Sequence, residues 1–205
     1  MGVRDDTLAL VRQGLTPQEI AERMGVSIKT TIPYIDQLIG ERRLRRSDVF
    51  FGVPPSKRAQ VEWYADGAYA DVYEDLRAIE RSLHQRIRQA LEQKFGAGEL
   101  GWWRAIPEDV RVKVQERRER DASPECDAYA YTDLLDLSDI LRKRWSDIAA
   151  EVLPKESLAN RTAVVDDLRR LNDLRKKVMH PVRYSSPTEE DFSFLNSLKP
   201  RLLRG

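Results

Sequence analysis

The sequence predicts an all-α protein in two parts, a short amino-terminal helical domain and a longer antiparallel bundle. Three observations carry this. Apolar residues recur at helical spacing for roughly six turns through Tyr69, Val72, Leu76, Ile79, Leu83, Ile87 and Leu91. Two later stripes repeat the period: Leu134, Leu141, Trp145, Ile148 and Val152, then Val164, Leu168, Leu171, Leu174 and Val178. Glycine and proline clusters separate these runs, so each is expected to be one helix. With 41% hydrophobic and 34% charged residues in 205, the composition fits a highly charged helical protein. A net charge of +1 argues against wholesale coating of nucleic acid and leaves local patches. Cys126 is the only cysteine, which excludes an intrachain disulfide and a multi-cysteine metal site, and no cofactor or metal is expected. The charged amino terminus lacks the apolar core of a signal peptide, and no apolar run approaches the ~20 residues of a membrane span. The expected location is the cytoplasm.

Residues 1–53 form the first expected domain. A short helical pattern over residues 4–13 carries Leu8, Leu10 and Val11 and ends at Gly14. Thr16, with Pro17 in the first turn and Glu19 three positions on, opens a second helix that breaks at Gly25. Ser27 is the N-cap candidate of a third, carrying Ile32, Ile35, Leu38 and Ile39. The string from Glu19 to Ser27 closely resembles the core of bacterial helix-turn-helix domains. The third helix would then present Lys29, Thr30, Pro33 and Gln37 to solvent, and Pro33 would loosen it by removing an internal hydrogen bond. Arg42, Arg43, Arg45 and Arg46 follow, and Val49-Phe50-Phe51-Gly52-Val53 has strand character. A minimal wing whose arginines track phosphates is therefore expected. A protein–protein module or a solvated charged hairpin is the alternative for this domain.

Gly52 to Arg58, with Pro54 and Pro55, marks the expected boundary, and residues 54–64 are read as a linker. The long stripe then runs to Gly96-Ala97-Gly98. His84 flanks that stripe, and Arg77 lies seven positions before it. With 26 arginines in the chain, such a spacing arises by chance about one time in three, so His84 is read as a flank residue. Trp102 and Trp103 are expected to pack a short insert against the bundle, base stacking being the alternative. Pro107-Glu108-Asp109 opens a mixed-charge helix, and residues 121–125 read as loop. Tyr131 to Val152 is predicted as one long helix closed by Pro154. Pro187-Thr188-Glu189-Glu190-Asp191 is predicted to start a last helix with Phe192, Phe194, Leu195 and Leu198, closed by Pro200.

The most informative stretch is Leu171 to Pro181. At ~100° per residue, Arg175 falls within roughly 20° of Val164, in the apolar stripe, where a guanidinium needs a partner. Pro181 disfavours helical geometry at the residue before it, so the helix should stop near His180. A residue leaving a helix can turn its ring back, and an arginine and a histidine converging there can bind and act on a phosphate.

The order of a long helix, a Trp-Trp segment with Pro-Glu-Asp-Val, Leu-Ser-Asp-Ile followed by Trp145, and the Arg175/His180 pair resembles a HEPN domain over about residues 65–200. The similar branch occurs in transcript-surveillance endoribonucleases and many bacterial proteins. The resemblance implies a helical bundle over 65–205 that dimerises, so that two Arg-x4–6-His motifs meet in one cleft and cut RNA without a metal. It casts His180 as general acid or base and Arg175 as the group stabilising the phosphorane. Asn172 and Asp173 would orient the pair, and Lys176, Lys177 and Arg183 would supply phosphate-binding charge. The family usually has Asn, Asp or His after the arginine. This chain has Lys176, which offers no acceptor and points to binding over catalysis. The purely structural alternative is an ion pair of Arg175 with Asp136 or Asp139 and a helix-capping role for His180. The expected function is thus a metal-independent endoribonuclease in defence or toxin-like growth control, a homodimer through the bundle whose amino-terminal domain recruits RNA or DNA. The alternative is a non-catalytic DNA-binding regulator that uses the bundle to dimerise; a third reading is an adaptor that contacts protein.

Overall fold

The structure is a computed structural model describing residues 3–124, 126–180 and 182–203. Every regular element among them is helical, with no strand, so the all-α expectation holds. The chain divides into two compact units, Met1–Asp75 with Lys177–Phe194, and Leu76–Lys176 with Leu195–Gly205. The division falls at residue 75/76, inside the long helix, whereas the sequence places a linker at 54–64. Pro181 lies outside the described residues, as does Glu125 of the expected loop.

In the first unit, α1 (Val3–Arg12), α2 (Pro17–Met24) and α3 (Ile28–Gly40) pack on one another. Thr16 and Glu19 form the expected capping box, with Glu19 Oε2 accepting from the Thr16 N–H at 2.9 Å. Gly25 closes α2 in the left-handed region, at φ 65°. Gly14, at φ 78°, is needed twice over, because a Cβ there would also lie 2.6 Å from the Gly52 carbonyl oxygen. Ile20, Ala21, Ile35 and Leu38 form the shared core. Pro33 sits inside α3 on its exposed side, and the helix runs on to Gly40.

The expected wing is a helix instead. Residues Arg46–Gly52 form α4, with Val49, Phe50 and Phe51 buried. The Asp48 carboxylate accepts from the Arg45 N–H at 2.7 Å, and that cap starts a helical turn where β-branched and aromatic residues alone suggest a strand. Phe51 meets Tyr69 edge-on at 5.7 Å and stacks on Phe192 at 5.0 Å. Pro55–Tyr64, the expected linker, is a 3₁₀ segment that buries Val61 and Tyr64.

The Glu19 carboxyl is pulled down to about 2, chiefly by a hydrogen bond from Lys57 Nζ and next by the Thr16 N–H. Because it is lowered in the fold, its stabilisation is present above the ordinary value of 4.5 and is lost as pH falls toward about 2. The melting-temperature advantage of the native chain over a Lys57→Met variant is expected to shrink across that window. A gap that stays constant from pH 6 to pH 2 would refute the coupling.

The second unit takes up the long helix α5 (Ala65–Phe95) from Leu76 onward, with Leu76, Ile79, Leu83, Ile87 and Leu91 buried as the stripe requires. A π-helical turn at Glu99–Trp103 and α6 (Glu108–Glu119) follow. The single helix expected over 131–152 is three pieces: a 3₁₀ turn at Ala128–Tyr131, α7 (Leu134–Lys143) and α8 (Trp145–Val152). Arg144, at φ −110° and ψ 24°, breaks the run, and its Nε donates to the Ala105 carbonyl at 2.6 Å. α9 (Arg161–Met179) contains Arg175. α10 (Glu189–Leu203) passes through Pro200, where it was expected to stop. A proline removes one donor near a helix end, and the apolar anchors Leu198 and Leu202 on either side of it are both buried.

Candidate functional site

Two sets of sequence-predicted residues can be located. The first is on α3. Lys29 and Gln37 are exposed, and Thr30 is half-buried with its hydroxyl 2.9 Å from that of Ser27. Gln37 also donates to Glu41 at 3.1 Å. Lys29 and Gln37 therefore occupy the outward face the sequence assigns them, flanking Pro33.

The four arginines after α3 do not act alike. Arg43 pairs with Asp5 at 2.7 Å. Arg45 is half-buried and doubly anchored, to Asp75 at 2.5 Å and to the Asp71 carbonyl at 2.7 Å. It ties the 41–46 turn to α5. Arg42 and Arg46 are exposed and make no ion pair among the described residues.

The second set lies along α9. Val164, Leu168, Leu171 and Leu174 are buried, and Arg175 sits beside them with its side chain 37% exposed. Its partner is Glu80 of α5, at 3.5 Å. This differs from the expected pairing. Asp136 is taken by Arg117 of α6, and Asp139 by Arg142 at 3.0 Å within α7. Burial pushes the Glu80 carboxyl above its usual range; Arg175 opposes that shift, Asp133 adds to it, and His84 opposes it. Glu80 is the residue that sequence reasoning missed. The signal was present: Glu80 lies four residues after Leu76 and three before Leu83, so it is an acid on the flank of an apolar stripe, mirroring Arg175.

α9 ends at Met179, so His180 is the first residue outside the helix, near where the sequence places the stop. His180 is exposed, with its ring centroid 6.4 Å from that of Tyr184, and its carbonyl accepts from the N–H groups of Arg183 and Tyr184. Arg175 belongs to the second unit and His180 to the first. The other expected residues have local roles. Asn172 is buried, and Asp173 pairs with Lys176 at 2.9 Å. Lys177 pairs with Asp191 at 2.6 Å, at the start of α10. Arg183 is exposed, 5.7 Å from the Tyr184 ring.

His84 is held by packing, with a ring nitrogen 3.1 Å from the Tyr129 carbonyl. Trp102 is buried edge-on against Tyr129 at 5.5 Å, with the Arg88 guanidinium 4.5 Å above its ring. The tryptophan is thus a core residue of the insert. No group of His, Cys, Asp and Glu among the described residues is arranged to hold a metal ion. No helix among them is long and apolar enough to cross a membrane.

The chain matches no family model, no curated protein and no solved structure. The resemblance to HEPN and helix-turn-helix domains rests on the residues quoted above.

Proposed function

We propose that the protein is a nucleic-acid-binding regulator that contacts duplex DNA through α3. The observation that carries this reading is the geometry of α2 and α3. The capped helix α2 is joined to α3 by a short turn at a left-handed Gly25, and α3 turns Lys29 and Gln37 outward beside Pro33. The reading is supported by the likeness of this arrangement to the plan of helix-turn-helix domains. The helical bundle serves as a homodimerisation module, in keeping with its resemblance to HEPN domains. With only one lysine on the recognition face, binding depends on a few contacts and is expected to fall steeply with salt. In electrophoretic or anisotropy titrations against a pool of random duplexes, Lys29→Glu should weaken binding about tenfold at ~100 mM salt. Absence of salt-sensitive binding by the native chain would sink the reading.

A second reading, metal-independent endoribonuclease activity, is favoured by His180. It is solvent-facing just beyond the end of α9, and Arg175 keeps a partly exposed guanidinium on the same helix. The roles are those the resemblance to HEPN domains implies: His180 moves the proton of the attacking 2′-hydroxyl, and Arg175 stabilises the phosphorane. RNA incubated with the protein in excess chelator would be cut, and His180→Ala would abolish cutting. Intact RNA with both proteins leaves the regulator reading alone.

A further inference from the structure

We infer that the recess lined by Ile39, Arg42, Leu44, Arg46, Asp71 and Glu74 is a binding site for a small phosphomonoester that also carries N–H or O–H donors. The cavity measures about 510 Å³, within the range of small-molecule sites, and lies wholly within the first unit. Arg45 also lines it, but its guanidinium is already held by Asp71 and Asp75. Arg42 and Arg46 are the remaining cations, both exposed and without an acid partner among the described residues.

Two backbone choices around this recess go against local preference, and both serve these two arginines. Arg42 has φ 58°, and it is the only described non-glycine residue at positive φ. It stands just past the end of α3, where its N–H bonds the Ile39 carbonyl at 3.0 Å, a position that glycine or asparagine fills most comfortably. An arginine held there at a conformational cost, at the mouth of a cavity, has a reason beyond the turn itself. Gly67 lies near the start of α5, where alanine would suit the helix better. A Cβ at that position would come 1.9 Å from Arg46 Cδ, so the missing side chain leaves the slot in which the Arg46 stem lies.

The lining also selects the kind of anion. A run of phosphodiesters offers only acceptors and would meet the exposed carboxylate of Glu74 as well as the arginines. A ligand with its phosphate on Arg42 and Arg46, donors toward Glu74 and Asp71, and carbon against Ile39 and Leu44 satisfies the whole lining. Nucleoside monophosphates and sugar phosphates share this chemistry.

The test is isothermal titration of the full chain with adenosine 5′-monophosphate, glucose 6-phosphate, inorganic phosphate and a short DNA duplex. The native chain and its Arg42→Gly, Arg46→Gln and Gly67→Ala variants are compared. At least one organic phosphate should bind more tightly than inorganic phosphate, and which one binds identifies the source. Each variant should weaken it about tenfold or more, as loss of a charge-assisted contact does. Arg42→Gly should do so while melting about 2–4 °C higher, because glycine relieves the backbone; lost binding with gained stability is a pattern no folding defect produces. The inference is overturned if no organic phosphate binds at ~10 mM, if the variants bind as well as the native chain, or if inorganic phosphate binds as tightly as the organic probes. It is also overturned if only the duplex responds to the substitutions, which would make the arginines backbone contacts.

Discussion

Asp136→Ala is expected to destabilise the second unit by about 3 kcal/mol, read as a lower urea midpoint at an unchanged slope. The Asp136 side chain is 3% exposed, and it receives Arg117 from α6 and the backbone N–H of Asp133 at 3.1 Å. That second bond is half of a capping box whose other half is the Asp133 carboxylate, accepting from the Asp136 N–H at 3.0 Å. One side chain therefore starts α7 and fastens α6 to it. Arg117 also donates to the Tyr131 carbonyl at 3.0 Å, so removing the aspartate leaves a guanidinium fixed in place without its main counter-charge. The effect sits at the lower end for a broken buried pair because Arg117 is about a third exposed and water can screen part of its charge. Asp139→Ala is the control. Asp139 has the same chemistry, but it pairs with Arg142 one turn away on the same helix and is 31% exposed, so its loss should cost under about 1 kcal/mol. Equal losses from the two substitutions would show that burial of Asp136 is not what makes it matter.

The same pair of aspartates shows how far the sequence could be read. The periodicity that marks α5 and α9 is unambiguous, because each stripe keeps one face over many turns and the fold buries that face. The partner of Arg175 was harder. Asp136, Asp139 and Glu80 are all plausible acids on apolar helices, and choosing among them needs the rotation of three helices about their axes, which period alone does not supply. Breaks were legible only where the residue itself forces them. Gly14 and Gly25 did so through positive φ. Arg144 interrupts a stripe that keeps its phase on both sides, so nothing in the apolar pattern marks it. Val49 to Val53 read as a strand because branched and aromatic residues favour strands, while the deciding contact was a single carboxylate, Asp48, on a backbone N–H. Among the candidate site residues, the outward face of α3 followed from phase. The split of the four arginines at 42, 43, 45 and 46 into two with an ion pair and two with none among the described residues did not, because it depends on Asp5, Asp71 and Asp75, which are far away in the chain.

Tyr129→Ala is expected to cost about 4 kcal/mol, and Tyr129→Phe about 1 kcal/mol, measured as shifts in the same urea transition. Tyr129 is fully buried, its ring 4.2 Å from that of His84 and edge-on to Trp102. Its hydroxyl donates to the His84 carbonyl at 2.8 Å, while its own carbonyl lies 3.1 Å from a His84 ring nitrogen, so the two residues clasp each other side chain to backbone. Burial drives the phenol's pKa well above its usual value, which favours the protonated, donating hydroxyl. Alanine removes the ring and leaves a cavity against Trp102 and His84. Phenylalanine keeps the packing and removes only the hydroxyl's bond to the His84 carbonyl, which still accepts within α5, so the ratio of the two losses separates packing from hydrogen bonding. The clasp also bears on which histidine matters for function. His84 spends its ring on Tyr129, whereas His180 keeps its ring outside α9 and exposed. Substitution of His84 should therefore lower stability along with Tyr129→Ala and leave any nucleic-acid chemistry per folded molecule unchanged. A His84→Gln variant that folded normally but lost RNA cleavage would reverse that assignment and move the functional arginine–histidine pair to α5.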